Sequence, residues 1–347
     1  MTTLLPALTA LFALLFAALL FDQYRSRRGA YQLAWGVGAL AFSTAAGAEA
    51  LAAAIGWSEP IYRVWYLFGA VWTAGWLGAG TILLLAKTRF GYWYALCLAL
   101  SGLFTILVAR RLEDSSAGPT AVVYALTAWG AAIVIGWLSY MGDARWARFA
   151  ITLTAALSVI AVPLVVIAEL PAPGWATDPA TGAPVALLLP PTLRLLTPIL
   201  NVSGGLALLT GALFSVYVFM PKRRVLPYSS DPDQRGDELL FNLAIAPVAL
   251  TVNFVRSIPD AWRAWRAGTL NRRVPATALI AFGAFVPSLT DTLNRAGSTE
   301  GYQVGKLIGA LLLLCGFLAS VESTREVRLP LLGRPVRALL RWVRREG

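Results

Sequence analysis

Long apolar segments recur along this chain, separated by short polar or charged connections. A helix needs about 20 predominantly apolar residues to cross the hydrocarbon core of a bilayer. Segments that approach or exceed this length predict an all-α protein, a polytopic transmembrane helix bundle of about nine spans. The predicted spans are residues 4–21, 31–55, 61–86, 92–109, 119–141, 149–168, 195–220, 274–290 and 303–320.

The basic residues divide unevenly between the two sides of these spans. With the N-terminus outside, the inner segments hold 23 of the 29 Lys and Arg residues. Lys and Arg are enriched on the cytoplasmic side of membranes, so we expect the N-terminus outside and the C-terminus inside. Arg25, Arg27 and Arg28 follow the first span and no basic residue precedes it, which argues against a cleavable signal peptide. The inner segments are residues 22–30, 87–91, 142–148, 221–273 and 321–347.

Residues 239–255 are apolar enough to resemble a further span. As a crossing they would place the basic C-terminal tail outside, so we interpret them as an interfacial or re-entrant helix on the inner face. The chain then divides into a seven-helix membrane bundle, a cytoplasmic-face segment, two further transmembrane helices and a basic amphipathic tail. These four parts cover residues 1–220, 221–273, 274–320 and 321–347.

Two inner segments combine apolar and basic residues as helices at the headgroup level do. Trp262 and Trp265 stand beside two arginines, and in the tail apolar residues share one helical face while arginines occupy the other. The pattern predicts contact with anionic lipid at the inner face. Alternatively, the same charges serve only as the topology signal. The predicted lipid-contacting residues are Arg263, Arg266, Arg337, Arg341 and Arg344.

The composition agrees with a membrane protein and excludes several kinds of chemistry. Charged residues make up 14% of the chain, whereas soluble domains average about 25%. The chain has no histidine, which excludes His-ligated haem, His-containing zinc sites and Ser–His or Cys–His nucleophile pairs. Its two cysteines lie in different predicted spans and form no CxxC motif. We expect no cofactor and no metal, and also no nucleic-acid partner, because the basic residues follow the lipid-facing pattern.

Ionisable residues inside an apolar span are costly and are therefore candidates for a functional site. In this chain they gather toward the predicted outer side. Glu49 is the most informative, because a short acidic side chain cannot reach the surface and must find a partner or take up a proton. The pattern predicts a periplasm-facing polar pocket that binds a ligand. Its candidate residues are Glu49, Arg63, Tyr66, Asn201, Asp291 and Lys306.

A structural interpretation of the same residues stays open. Glu49 would then pair with Arg63 or Lys306, and Asp291 would bridge to Lys306 between the last two spans. Long basic side chains near the end of a span reach the surface and need not face a cavity.

Aromatic residues mark the predicted ends of the spans. Trp57, Tyr62, Trp65 and Tyr66 cluster at an outer boundary, which is typical of a belt of residues that face lipid headgroups. The outer loop of residues 170–194 is long enough to cap the bundle from outside.

Small residues four positions apart predict close helix contacts. Examples are Ala70, Ala74 and Gly78 in the third span and Gly305 with Gly309 in the last. Packing within one chain explains such runs as well as a homo-oligomer or a larger membrane complex does.

No catalytic motif is recognisable, so an enzyme is not the favoured class. The leading hypothesis is an integral membrane protein that binds or passes a small or lipophilic ligand through the outer polar pocket. The main alternative is a structural or accessory subunit of a larger membrane complex, which should leave a small-residue face exposed. A lipid-modifying enzyme would need a second carboxylate or a nucleophile within hydrogen-bond reach of Glu49.

Two short patterns resemble those of uncharacterised bacterial multi-pass inner-membrane proteins. They are YRVWYLFGA at residues 62–70, and GKLIG at 305–309 followed by GFL at 316–318. The resemblance implies a multi-pass protein of the bacterial cytoplasmic membrane and attaches no activity. The first seven predicted spans also resemble the layout of seven-helix bacterial sensor modules, which is a likeness of topology alone.

Overall fold

Helices form the bulk of the described structure, as the apolar pattern predicts. The computed structural model describes residues 3–112, 115–179, 182–226, 238–271, 273–295 and 301–320, without the side chains of residues 238–247 and 291–295. Within this part of the chain, nine helices are long and apolar enough to cross a membrane. The prediction of an all-α bundle with nine apolar helices is therefore confirmed, and its orientation stays a prediction.

The third span, Glu59–Leu84, is composed of two α-helices joined by a π-helical segment, Tyr66–Thr73. A further helix, α9, is not among the nine candidate spans of the described residues. The α-helices are α1 (Leu4–Arg27), α2 (Ala30–Ile55), α3 (Glu59–Trp65), α4 (Ala74–Leu84), α5 (Phe90–Ala109), α6 (Ala117–Tyr140), α7 (Arg145–Ile167), α8 (Pro191–Phe219), α9 (Glu238–Arg266), α10 (Arg273–Arg295) and α11 (Tyr302–Ala319).

Short connections reverse the chain between several pairs of consecutive spans. α1 ends where Arg28 adopts a left-handed conformation and its N–H donates to the carbonyl of Tyr24. α2 ends at Gly56, whose φ of 94° favours glycine. Because these turns are short, α1 packs directly against α2, α5 against α6, and α10 against α11.

α8 lies at the centre of the bundle and packs against α4, α5, α6 and α10. Its contact with α4 brings backbone against backbone: Gly78 lies against Gly204, and Gly204 lies against the carbonyl of Ala74. No side chain separates the helices at this crossing, which is the close approach that small residues allow. The small-residue run that ends at Gly78 is therefore used within the chain.

The hairpin of α10 and α11 uses its small residues in the same way. Gly305 lies against Thr290, and Gly309 lies against Pro287 and the carbonyl of Gly283. α10 packs on α8 and α11 packs on α1, which attaches the hairpin to the rest of the bundle.

An apolar cluster fills the bundle between these helices, toward the predicted inner side. Its side chains come from α1, α2, α4, α8 and α11, and they exclude water from this half of the protein. The buried members include Phe16, Leu20, Leu77, Leu208, Leu313 and Phe317.

The aromatic residues at the start of the third span form a second packed cluster, toward the predicted outer side. Tyr62, Trp65 and Tyr66 are buried, and the rings of Tyr62 and Trp65 stack with centroids 5.5 Å apart. The prediction that these three residues face lipid headgroups is wrong, because the outer loop and α8 cover them. The Tyr62 hydroxyl donates to the carbonyl of Val185, and Trp175 of the same loop packs on the cluster.

α9 lies against the end of α8 and the beginning of α10. Leu250 and Phe254 of α9 pack on an apolar cluster that includes Tyr217 and Val274. The predicted interfacial position of residues 239–255 stays a prediction, and these residues continue without a break into the segment that carries Arg263 and Arg266. Both arginines are exposed. The tail with Arg337, Arg341 and Arg344 lies outside the described residues.

Candidate functional site

Glu49 of α2 and Lys306 of α11 form an ion pair inside the bundle. The Lys306 Nζ donates to the Glu49 Oε2. Glu49 is 5% exposed and Lys306 is 8% exposed, so neither charge is solvated. Separating charges from water is costly, and only a close opposite charge with further hydrogen bonds offsets that cost.

Two further side chains complete the hydrogen bonding of the carboxylate. The Trp65 Nε1 donates to the Glu49 Oε1 at 2.9 Å, and the Gln303 Nε2 donates to the Oε2 at 2.8 Å. The Lys306 Nζ also lies 4.4 Å from the centroid of the Tyr302 ring, within the range of a cation–π interaction. We call these five residues the Glu49–Lys306 site.

The first turns of α11 position three members of this site. Tyr302 precedes Lys306 by four residues and Gln303 precedes it by three, and either spacing brings two side chains to one side of a helix. The Gln303 Oε1 is buried and has no hydrogen-bond partner among the described residues. A buried carbonyl oxygen without a partner is uncommon and calls for an explanation such as a water or a ligand.

The site lies between helices that do not pack along one another. Within the described residues, α11 packs along α10 and α1 but not along α2, and the two helices are joined here by the long side chains of Lys306 and Gln303. The contact between α2 and α11 is thus polar at this level, whereas toward the predicted inner side both helices contribute to the apolar cluster that includes Phe16 and Phe317.

A π-helical segment follows Trp65 in the third span. Tyr66–Thr73 has the wider π pattern, which is rare and frequent at functional sites. Polar side chains donate hydrogen bonds to backbone carbonyls of this segment. The Asn201 Nδ2 donates to the carbonyl of Ala70 at 3.0 Å, and the Thr73 hydroxyl donates to the carbonyl of Phe68 at 2.8 Å.

Tyr66 and Asn201 therefore connect the third span to α8 rather than to Glu49. The Tyr66 hydroxyl lies 2.6 Å from the Thr197 Oγ1 and also donates to the carbonyl of Leu193. Asn201, one turn further along α8, binds the π-helical segment. The structure brings Glu49 and Lys306 together. Tyr66 and Asn201, which were also predicted site residues, contact other partners between the third span and α8.

Arg63 caps the end of α7. Its guanidinium donates to the carbonyls of Val165 and Ala168, and its Nε donates to the Glu59 Oε1 at 2.9 Å. The last carbonyls of a helix have no partner within the helix, and a basic side chain satisfies them and opposes the negative end of the helix dipole. Arg63 thus attaches α3 to α7. Asp291 belongs to α10, and its side chain lies outside the described residues.

Arg63→Gln is expected to lower the free energy of unfolding by about 2 kcal/mol, because it leaves carbonyls of α7 without their charged donor. Thermal unfolding of the purified protein in detergent measures this loss. Arg111→Gln is the matched control, since it removes an exposed arginine at the same predicted side, and it should change stability by less than about 0.5 kcal/mol. Equal effects of the two substitutions would contradict the capping role.

Sequence reasoning did not identify Trp65, Tyr302 and Gln303 as members of the site. Trp65 was expected at a headgroup belt, and only its contact with Glu49 from α2 reveals another role. Gln303 could have been predicted, because an amide three residues before Lys306 lies on the same face of the helix.

The described hydrogen-bond partners of Glu49 are an indole, an amide and an ammonium group. These described partners include no second carboxylate and no hydroxyl or thiol, one of which the lipid-modifying-enzyme alternative requires beside Glu49. The arrangement presents one carboxylate and one ammonium group side by side, which can bind groups of opposite charge.

Comparison with protein-family models, curated proteins and solved structures finds no match for this chain. The features that bear on function are the geometry of the Glu49–Lys306 site and the apolar helices that surround it. Those helices form an apolar bundle that is compatible with an integral membrane protein.

Proposed function

We propose that this chain is a non-catalytic protein of the bacterial inner membrane that binds or passes a small or lipophilic ligand. The binding position is the Glu49–Lys306 site, on the side that the charge distribution predicts to be periplasmic. The observation that carries the proposal is the position of the ion pair. It joins α2 to α11 through the side chains of Lys306 and Gln303, so at this level the two helices are held together by polar side-chain contacts.

The use of small residues within the chain supports a self-contained protein. The runs that include Gly78, Gly305 and Gly309 are covered by neighbouring helices of the same chain. An accessory subunit was expected to leave such a face exposed for its partner. These faces therefore favour a ligand-binding protein over a docking subunit.

The chemistry of the site indicates a zwitterionic ligand. A ligand that carried one charge would separate the pair and leave either Glu49 or Lys306 buried without a partner, which is strongly unfavourable. A zwitterion supplies a cation to Glu49 and an anion to Lys306. The amide of Gln303 and the indole N–H of Trp65 are additional donors for the anion, and the Tyr302 ring is a surface for the cation.

A phosphoethanolamine group has this charge pattern and occurs both in lipid headgroups and in soluble molecules. Native mass spectrometry of the delipidated protein, titrated with phosphatidylethanolamine, phosphatidylglycerol or glycerophosphoethanolamine, tests the proposal. At this site we expect phosphatidylethanolamine to bind about tenfold more strongly than the anionic lipid, the difference that one charge-assisted hydrogen bond produces. Retention of glycerophosphoethanolamine as well would identify the headgroup alone as sufficient.

The matched variant is Glu49→Gln/Lys306→Met, which removes both charges together and is expected to remain folded. Relative to phosphatidylglycerol, it should retain phosphatidylethanolamine about tenfold less strongly than wild type does. If wild type and the double variant have the same lipid preference, the proposal is wrong.

A structural role in a larger membrane complex is the alternative, and the complete hydrogen bonding of the Glu49 carboxylate favours it. On this alternative the pair never separates. The three probes would then be retained in the same ratio by wild type and by the double variant, while Lys306→Met alone would still lower stability.

A further inference from the structure

The second half of α9 is attached to the end of α8 by two buried polar side chains. The Asn253 Oδ1 accepts hydrogen bonds from the N–H groups of Val225 and Leu226, at 2.8 and 2.9 Å, and its Nδ2 donates to the carbonyl of Leu226. The Ser257 Oγ accepts a hydrogen bond from the N–H of Arg223 at 2.8 Å. Asn253 and Ser257 are fully buried, so the orientation of α9 is determined by the bundle.

An apolar stripe occupies a different face of the same helix and is exposed. Its residues are separated by seven, three, four and three positions, which follows one side of an α-helix. Within the part of the chain that the structure describes, nothing covers this face, and each of its side chains is about half exposed. The residues are Val248, Val255, Ile258, Trp262 and Trp265.

Basic side chains border this stripe. Arg263 pairs with Asp260, and the Arg266 guanidinium lies over the Trp262 ring, 5.2 Å from its centroid. The rings of Trp262 and Trp265 are 4.7 Å apart. Arg256 is also exposed. Tryptophans beside guanidinium groups are typical of a helix at the level of lipid headgroups.

Further cations lie where α8 ends and α10 begins. The Lys222 Nζ lies 5.7 Å from the Tyr217 ring centroid, and the Arg273 guanidinium lies 5.0 Å from the Phe219 ring centroid. Tyr217 belongs to the apolar cluster on which α9 packs. The basic residues of three helices thus meet at one end of the bundle.

We propose that this face of α9 is a preformed binding surface for anionic phospholipid. The positive charge of the surface favours an anionic lipid, because several guanidinium groups lie there. One of them, that of Arg263, also pairs with Asp260. The apolar stripe and the two tryptophans insert at the boundary between headgroups and acyl chains. Since Asn253 and Ser257 already hold the helix, binding requires no folding of α9 and is saturable at this surface.

The test is the retention of phosphatidylglycerol relative to phosphatidylcholine by the full-length protein, measured by native mass spectrometry after release from nanodiscs of both lipids. Arg263→Gln/Arg266→Gln is expected to lower the preference for phosphatidylglycerol about tenfold. Arg145→Gln/Arg148→Gln is the matched control, because it removes two exposed arginines of which one, Arg145, is likewise paired with an aspartate. It should change the preference by less than about twofold.

Asn253→Ala separates position from charge. It keeps every arginine but removes the hydrogen bonds that orient α9, so a lower lipid preference in this variant supports a preformed surface. If the two arginine double variants lose the preference for phosphatidylglycerol equally, the preference depends only on net charge and the proposal is overturned. An unchanged preference in Arg263→Gln/Arg266→Gln would also overturn it and would direct the search to a protein partner for the stripe.

Discussion

Lys306→Met is expected to destabilise the folded protein by about 3–5 kcal/mol, one of the two largest effects we predict for a single substitution. It removes the ammonium group and leaves the Glu49 carboxylate inside the bundle with only the N–H donors of Trp65 and Gln303. Breaking a buried pair by removing one partner has a cost of this size. The measurement is the free energy of unfolding in mixed micelles.

Glu49→Gln should have a smaller effect than Lys306→Met. The remaining Lys306 still lies over the Tyr302 ring, so its ammonium group keeps a cation–π interaction. The double variant Glu49→Gln/Lys306→Met is expected within about 1 kcal/mol of wild type, because no unpaired charge remains. If the losses from the two single substitutions add in the double variant, the two charges are not coupled in the folded protein.

Gly204→Ala is expected to destabilise the protein by about 3 kcal/mol, at the upper end of the range for overpacking. A Cβ atom at this position would overlap the carbonyl of Ala74, and backbone atoms cannot rotate away as a flexible side chain can. The crossing of α4 and α8 would have to widen, which separates the helices on both sides of it. Reversible thermal unfolding in detergent measures the loss.

Gly205→Ala is the control for this substitution, because it adds the same methyl group one residue later in α8. The added Cβ meets open space, so stability should be unchanged or up to about 1 kcal/mol higher through the better helix propensity of alanine. Similar losses at positions 204 and 205 would show that α8 tolerates no methyl group, and would contradict a specific backbone crossing.

The spans were predictable because a transmembrane helix satisfies its own backbone hydrogen bonds and depends on local apolar length. The predicted span 31–55 matches α2, Ala30–Ile55, almost residue for residue. The π-helical segment Tyr66–Thr73 was not predicted. Asn201, which donates to a carbonyl of this segment, belongs to α8, so no local pattern within the third span predicts the segment.

The candidate site was predicted only in part, because the sequence indicates the depth of a residue in the membrane but not the direction of its side chain. Arg63 and Lys306 are examples. Depth in the membrane follows from position along a span, and both residues were assigned to the outer level with Glu49. The direction of each side chain depends on how its helix is rotated against its neighbours. Lys306 faces Glu49 from α11, whereas Arg63 faces the end of α7.

The sequence by itself determined that this protein is an α-helical bundle, with nine helices among the described residues that are long and apolar enough to cross a membrane, since such helices depend on local apolar length. It also singled out Glu49 and Lys306, because charges are rare and costly there. Only the tertiary structure decided that these two charges pair, and that Tyr66 and Asn201 bind elsewhere. Such contacts join residues more than 100 positions apart, and helix rotation and packing, rather than local composition, determine them.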